Sequence, residues 1–249
     1  MSIPSFLPGV PAEAVLAALT RAPGSELASG KFDSPESSAA LAVNAFGWFL
    51  DRPRSLPPLP GVPMGLPQTV AVEAELRFPW SGGRHPWLDA LVTTGTTLVG
   101  IEAKRYEPFR PAKASSFSEA FDSRDWGPGM ARFTALRLAL TEGRQSYRCL
   151  DAVQLVKHAH ALRTQGVKRN LGAVLVYLHA VPATWANGKP VLPEAIARHD
   201  AEIADFARAV KGDDVTFVAL RWADLLADWA RVPALSAHAA AVSARFGPL

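Results

Sequence analysis

Residues 86–107 read PWLDALVTTGTTLVGIEAKRYE, two β-prone runs that flank the pair Gly95-Thr96. A glycine at the first central position of a two-residue turn supplies the positive φ that a tight hairpin needs. The spacing therefore predicts a β-hairpin in which Asp89 lies directly opposite Glu102. Side chains alternate between the two faces of a strand, so Lys104 joins the two acids on one face. The other face is predicted to be apolar and to carry Leu88, Ala90, Val92, Val99, Ile101 and Ala103.

Two facing carboxylates need a positive charge between them. Opposing Cβ atoms in a strand pair are only about 4.5–5.5 Å apart, so Asp89 and Glu102 would repel each other. A hard divalent cation removes the repulsion, Lys104 adds a fixed positive charge, and Gly100 is expected to leave space on the same face. Alternatively, Glu102 forms a surface ion pair with Lys104 or Arg105 while Asp89 is solvated. The apolar reverse face favours the metal site.

The hairpin residues resemble a known signature. Asp89, followed by Glu102-Ala103-Lys104 on the next strand, resembles the motif of the PD-(D/E)XK nuclease superfamily, although Trp-Leu-Asp stands here where that motif has Pro-Asp. The resemblance implies a restriction-endonuclease-like α/β core of order α-β-β-β-α-β, with a mixed central sheet flanked by helices. It also implies Mg²⁺ or Mn²⁺ bound by Asp89, Glu102 and the Ala103 carbonyl, with Lys104 orienting the attacking water or stabilising the transition state.

Apolar periodicity predicts helices and strands around the hairpin in the order of that core. Helices are predicted at 11–21, from a cap at Asp33-Ser34-Pro35-Glu36 to residue 50, and at 130–140, 146–163, 193–210, 222–229 and 234–245. Strands are predicted at 70–78, 171–180 and 215–220. Segment 171–180 is almost entirely apolar, which is typical of a buried strand parallel to its neighbour. We expect one domain over residues 1–249, with a core at about 34–180 and a C-terminal α/β extension at about 181–249.

A third acid is expected upstream of the hairpin, as superfamily members often have one. Alternation in segment 70–78 puts Glu73 and Glu75 on one face and the apolar Val70, Val72, Ala74 and Leu76 on the other. The Val72-Glu73 step resembles the upstream acid of the superfamily, so Glu73 is our preferred candidate. Glu75 and Glu36 stay open, and a solvated strand face is the alternative for both strand acids.

The helix at 146–163 follows the hairpin, as in these nucleases. One face carries Tyr147, Asp151, Gln154 and His158, with Lys157 beside them. By resemblance, Gln154 is expected to approach the catalytic site, while Lys157, His158 and Arg105 are expected to contact substrate. The alternative is an amphipathic helix with an ordinary polar flank.

Bulk composition permits this function without requiring it. Lys and Arg number 26 against 23 Asp and Glu, for a net charge of +3, which allows nucleic-acid binding. Cys149 is the only cysteine, so the sequence excludes a disulfide framework and favours a reducing, cytoplasmic setting. No apolar run has the length of a membrane span, and the first residues lack the pattern of a signal peptide.

The sequence thus predicts a metal-dependent nuclease that hydrolyses DNA phosphodiester bonds, with DNA as partner and a homodimer as an open arrangement. One alternative is a catalytically inactive nuclease fold that binds DNA or another protein. Another is an unrelated α/β hydrolase, which the lack of a Gly-x-Ser-x-Gly motif disfavours.

Overall fold

The computed structural model describes residues 5–24, 27, 29–111 and 115–249, and its strands form one mixed sheet. The strands are β1 (Pro67–Glu75), β2 (Trp87–Thr94), β3 (Thr97–Lys104), β4 (Gly172–His179) and β5 (Val215–Arg221), in that spatial order. Strands β1, β2 and β3 are antiparallel, whereas β4 and β5 run parallel to β3. The predicted α/β class and the parallel pairing of β4 with the hairpin are confirmed.

Helices cover both faces of the sheet. They are α1 (Ala12–Arg21), α2 (Ser38–Gly47), α3 (Ala131–Thr141), α4 (Ala152–Arg169), α5 (Pro193–Val210), α6 (Trp222–Ala230) and α7 (Pro233–Phe246). Buried residues of α1, α2, α6 and α7 form one apolar cluster with the sheet, and those of α3, α4 and α5 form a second on the opposite face. The C-terminal segment supplies β5 to the same sheet, so it completes the core rather than forming an appendage.

Two helices begin later than the sequence predicted. Helix α2 begins at Ser38, because the Ser37 hydroxyl accepts the backbone N–H of Ala40 at 3.0 Å. The earlier candidate cap, Ser34, accepts only the N–H of Glu36, at 3.3 Å. A serine can cap a helix only where the following backbone turns helical, and that happens three residues later than expected.

Helix α4 begins at Ala152 rather than at residue 146. The Asp151 carboxylate accepts the backbone N–H of Gln154 at 2.9 Å and so caps the helix. Asp followed by Gln three residues later has the spacing of a capping box. Tyr147 therefore lies before the helix and does not share its face with Gln154.

The alternation of β1 and β2 breaks at the level of the acids, which corrects the predicted faces. Ala90 packs with the α2 cluster, but Leu88, two residues earlier, packs with the α4 cluster. The same change separates Val72 from Ala74, on either side of Glu73, whose φ is +47°. A left-handed residue rotates the strand, so the side chains beyond it exchange faces.

Leu88 occupies the space that Gly100 was expected to leave open. A Cβ atom added at Gly100 would lie 2.5 Å from Leu88 Cδ1 and 2.8 Å from Leu162 Cδ1. The absent side chain of Gly100 therefore makes room for packing between the hairpin and α4.

Candidate active site

The hairpin positions Asp89 at the end of a regular strand pair. The β2–β3 ladder aligns Thr93 with Leu98 and Ala90 with Ile101, which confirms the predicted register. Just beyond this ladder, Asp89 Oδ2 accepts the backbone N–H of Ala103 at 2.7 Å. The carboxylate of Asp89 is therefore fixed against the backbone of the motif residues on β3.

Glu102 lies between a cation and a neutral imidazole. Its side chain is 3% exposed, with Oε1 2.5 Å from Lys104 Nζ and Oε2 3.3 Å from His158 Nδ1. Burial, reinforced by the charge of Lys104, lowers the pKa of His158 to about 3, so this ring is neutral. His158 on α4 lies beside Glu102 and is 2% exposed, yet it lines a cavity, so the predicted substrate contact stays a prediction for this residue.

Burial makes both acids of the hairpin costly to ionise. Burial, and then the neighbouring charge of Glu102, raise the pKa of Asp89 to about 8. Burial also raises the pKa of Glu102, although Lys104 acts in the opposite direction. Burial alone would lower the pKa of Lys104, but Glu102, Asp89 and Glu107 outweigh it and raise that pKa. A further cation beside the acids would favour their charged forms.

The oxygen donors around Asp89 fit Mg²⁺. The Lys104 carbonyl points towards β4, where it accepts the N–H of Ala180 at 3.0 Å. Successive carbonyls of a strand point in opposite directions, so the Ala103 carbonyl points towards β2 and Asp89. Two carboxylates and a carbonyl suit Mg²⁺, which keeps several water ligands. The part of the chain that the structure describes contains no group of three or more His, Cys, Asp or Glu that could hold a metal.

Of the three candidate upstream acids, the strands bring Glu73 level with Asp89. The neighbours of Glu73 on β1 pair with Ala90 and Leu88, the two neighbours of Asp89 on β2. Glu75 is exposed and its carboxylate lies 3.2 Å from Arg77 Nε. Glu36 forms an ion pair with Arg110 and accepts the backbone N–H of Ala186 at 3.2 Å, which holds it at a loop.

The comparison with known families agrees with the resemblance of the hairpin motif. A model of the family described as restriction endonuclease associating with ARP matches residues 14–246. The chain belongs to this family. It has the restriction-endonuclease-like fold of the PD-(D/E)XK superfamily, as the hairpin motif implied. No curated protein and no solved structure matches the chain. None of the helices in the described ranges is long and apolar enough to cross a membrane.

In this restriction-endonuclease family member, Arg105 does not reach the candidate site. Its side chain is only 2% exposed, and its guanidinium donates to the backbone carbonyls of Pro35 and Phe246. The predicted substrate contact is therefore wrong for Arg105. Strand alternation directs it to the face opposite Glu102, and the partner it meets there is the end of α7, which no local pattern reveals.

Two acids near the site were not among the predicted catalytic residues. Glu107 accepts the backbone N–H of Arg105 at 2.8 Å and a hydrogen bond from Ser38, and its charge raises the pKa of Lys104. Asp151 accepts the Ser115 hydroxyl at 3.1 Å, and its charge raises the pKa of Glu102. The sequence signals for Asp151 were its place on the polar face with Gln154 and His158 and the capping-box spacing.

Two cavities of this family member lie beside the acids. One, of about 360 Å³, is lined by Lys104, Glu107 and Tyr177 among others. The other, of about 860 Å³, lies between α4 and the loop that precedes β2. Ser115, Asp151 and Gln154 line both cavities, so Gln154 shares a cavity with Lys104.

Proposed function

We propose that this chain is a Mg²⁺-dependent nuclease that hydrolyses DNA phosphodiester bonds, with Mn²⁺ as an alternative ion. One observation carries the proposal: the partly buried Asp89 is held by the backbone N–H of Ala103 beside the buried Glu102, and Lys104, bonded to Glu102, lines a cavity. Membership of a restriction-endonuclease family supports the reaction class and DNA as the substrate.

The residues divide into three roles. Asp89, Glu102 and the Ala103 carbonyl would hold the cation, and Glu73 would complete its water network. When bound, the cation supplies a more acidic water molecule and neutralises charge that develops on the phosphate. Lys104 would orient the attacking water and stabilise the same charge. Gln154, at the start of α4, would position the site.

The family description names an association with ARP. We propose that assembly with this component accompanies the nuclease function, since the match extends over nearly the whole chain.

The test compares cleavage of circular, linear and single-stranded DNA with Mg²⁺, Mn²⁺ or EDTA. Wild type should cleave only with a metal, while Asp89→Asn and Glu102→Gln should each lose at least about 100-fold in rate, the scale of one lost electrostatic stabiliser. Glu75→Gln is the matched control, because its exposed carboxylate pairs with Arg77 on the same sheet. DNA binding without cleavage by wild type would instead indicate an inactive DNA-binding module.

A further inference from the structure

The larger cavity beside the acids has aromatic walls and cationic side chains. Its lining includes Trp80, Trp87, Phe117, Arg84 and Lys157. Its volume of about 860 Å³ lies in the range of small-molecule sites. A large aromatic surface with fixed positive charge is the combination that binds a nucleobase and its phosphate.

The aromatic wall is held rigidly before any ligand arrives. Trp80 stacks on Phe78 with ring centroids 4.4 Å apart and an interplanar angle of 20°. It meets Phe121 and Trp126 edge to face, with ring centroids 5.3 Å and 5.9 Å apart. Phe117 meets Phe121 edge to face at 5.4 Å. Side chains fixed in this way lose little conformational entropy when a base stacks on them.

Polar groups of the same cavity suit the rest of a nucleotide. Lys157 Nζ lies 5.7 Å from the centre of the Phe117 ring, so the cation and the aromatic face stand together. His85 Nδ1 accepts the backbone N–H of Phe78 at 3.2 Å, which places the ring proton on Nε2 as a donor. Gln154 offers an amide, which can both donate to and accept from the edge of a base.

The cavity adjoins the candidate active site. Asp151 and Gln154 line this cavity and also the smaller one that contains Lys104. His158, whose ring lies 3.3 Å from the Glu102 carboxylate, also lines the larger cavity. A strand whose phosphate lies at Lys104 would therefore bring a neighbouring nucleotide to the mouth of the cavity.

We propose that this cavity receives one unpaired nucleobase of DNA, next to the bond that is cut. Bases of an intact duplex are stacked inside the helix, so a recessed pocket can take a base only from a single strand or after extrusion. The substrate class is thus DNA with an unpaired nucleotide. The position next to the cut bond rests on the proposed nuclease function, whereas binding of the base does not.

The test is fluorescence anisotropy in EDTA, where no cleavage occurs. The probes are a labelled single strand, the matching intact duplex, and a duplex with one unpaired nucleotide. Wild type should bind the single strand, or the duplex with one unpaired nucleotide, at least about tenfold more tightly than the intact duplex. Tenfold is the scale of one stacked base. If only the single strand binds tightly, the base enters from single-stranded DNA. If both bind tightly, the protein also takes an extruded base from a duplex.

Phe117→Ala should remove this preference and leave affinity for the intact duplex unchanged. Phe217→Ala is the matched control, since Phe217 is a half-buried ring that meets Phe206 edge to face at 4.8 Å, and it does not line the cavity. Phe117→Leu, which keeps apolar volume without an aromatic face, serves if the alanine variant melts early. Equal affinity of wild type for all three probes, or equal effects of Phe117→Leu and Phe217→Ala, would overturn the proposal.

Separate outcomes distinguish the two proposals. A preference for unpaired DNA that depends on Phe117, without cleavage in Mg²⁺, would keep the base site and remove the nuclease. Cleavage of an intact duplex at the same rate by wild type and Phe117→Ala would keep the nuclease and remove the base site.

Discussion

Asp89 is a carboxyl group whose charge is set by its burial and by Glu102. Its pKa of about 8 means that it is largely protonated at neutral pH in the absence of metal. A cation must displace this proton, so metal binding should strengthen as the pH rises. We predict that Mg²⁺ raises the melting temperature more at about pH 8 than at about pH 6.

The measurement is thermal melting with Mg²⁺ and with EDTA at both pH values. The Asp89→Asn variant should lose most of the rise in melting temperature that Mg²⁺ causes, because an amide cannot supply the anionic ligand. An equal Mg²⁺ shift at both pH values would mean that the cation binds elsewhere or that Asp89 does not take part.

We expect Lys104 to affect stability as well as chemistry. Its ammonium is the counter-ion of the buried Glu102. Lys104→Met should lower turnover on the order of 10²–10³-fold. It should also lower the free energy of unfolding by about 1–3 kcal/mol, less than a broken buried pair usually costs, because Glu102 can protonate.

Turnover on DNA and urea unfolding of the same preparations test both parts. Lys168→Met is the control, since Lys168 is an exposed lysine in the last turn of α4. Lys104→Arg should rescue turnover poorly, because a planar guanidinium does not replace a compact ammonium. Full activity of Lys104→Met would show that the ion pair is structural only.

At the scale of elements, β3 and α4 approach closely because Gly100 has no side chain. Gly100→Ala would push against Leu88 and Leu162, and we predict a loss of about 1–3 kcal/mol in unfolding free energy. The loss should be smaller when Leu88→Ala is already present, since the two substitutions share one contact. Gly172→Ala on β4 is the matched control, because its Cβ would meet only the Thr96 carbonyl at an ordinary 3.5 Å. Strictly additive losses would contradict this packing.

Elements were predictable where the deciding chemistry is local. The predicted hairpin register is observed from Ala90–Ile101 to Thr93–Leu98. Gly95 does not have the positive φ that was expected; instead the Thr94 hydroxyl accepts the backbone N–H groups of Thr96 and Thr97 in the turn. The exchange of faces at Glu73 was not predictable, because it depends on one left-handed φ inside a strand of regular pattern. The start of α2 was misplaced because Ser34 and Ser37 are both suitable caps, and only the folded backbone selects one.

At the scale of the whole molecule, residues from distant parts of the chain hold the end of β3. Arg105 follows the motif and donates to Pro35 before α2 and to Phe246 at the end of α7. It thus joins three parts of the chain around the end of β3. Such long-range partners explain why its burial could not be predicted from the residues beside it.

Buried titratable groups set how the whole fold responds to pH. Burial lowers the pKa of five of the six histidines, to about 3 for His158 and His199 and about 4 for His160 and His179, with a lowered pKa also for His238. An unfolded chain protonates these rings below about pH 6.5, so the stability they provide is lost as the pH falls. Asp89 and Glu102 act oppositely, because their raised pKa values give stability that is lost as the pH rises.

Below about pH 6.5, the five histidines change the unfolding free energy with pH more than the two acids, which act in the opposite direction. Between about pH 6.5 and pH 8, only the two acids change it. We therefore predict that, without metal, the unfolding free energy is greatest near about pH 6.5 and falls on both sides. His199→Gln should reduce the acid-side slope by up to about 1.4 kcal/mol per pH unit, since one proton fewer is taken up on unfolding. Tyr177→Phe removes the 2.9 Å hydrogen bond to His199 but keeps the imidazole. It should therefore lower the unfolding free energy at every pH without changing its slope with pH on the acid side. Urea unfolding in EDTA across this pH range measures both effects, and a slope unchanged by His199→Gln would show that this ring is not the neutral group that the fold protects.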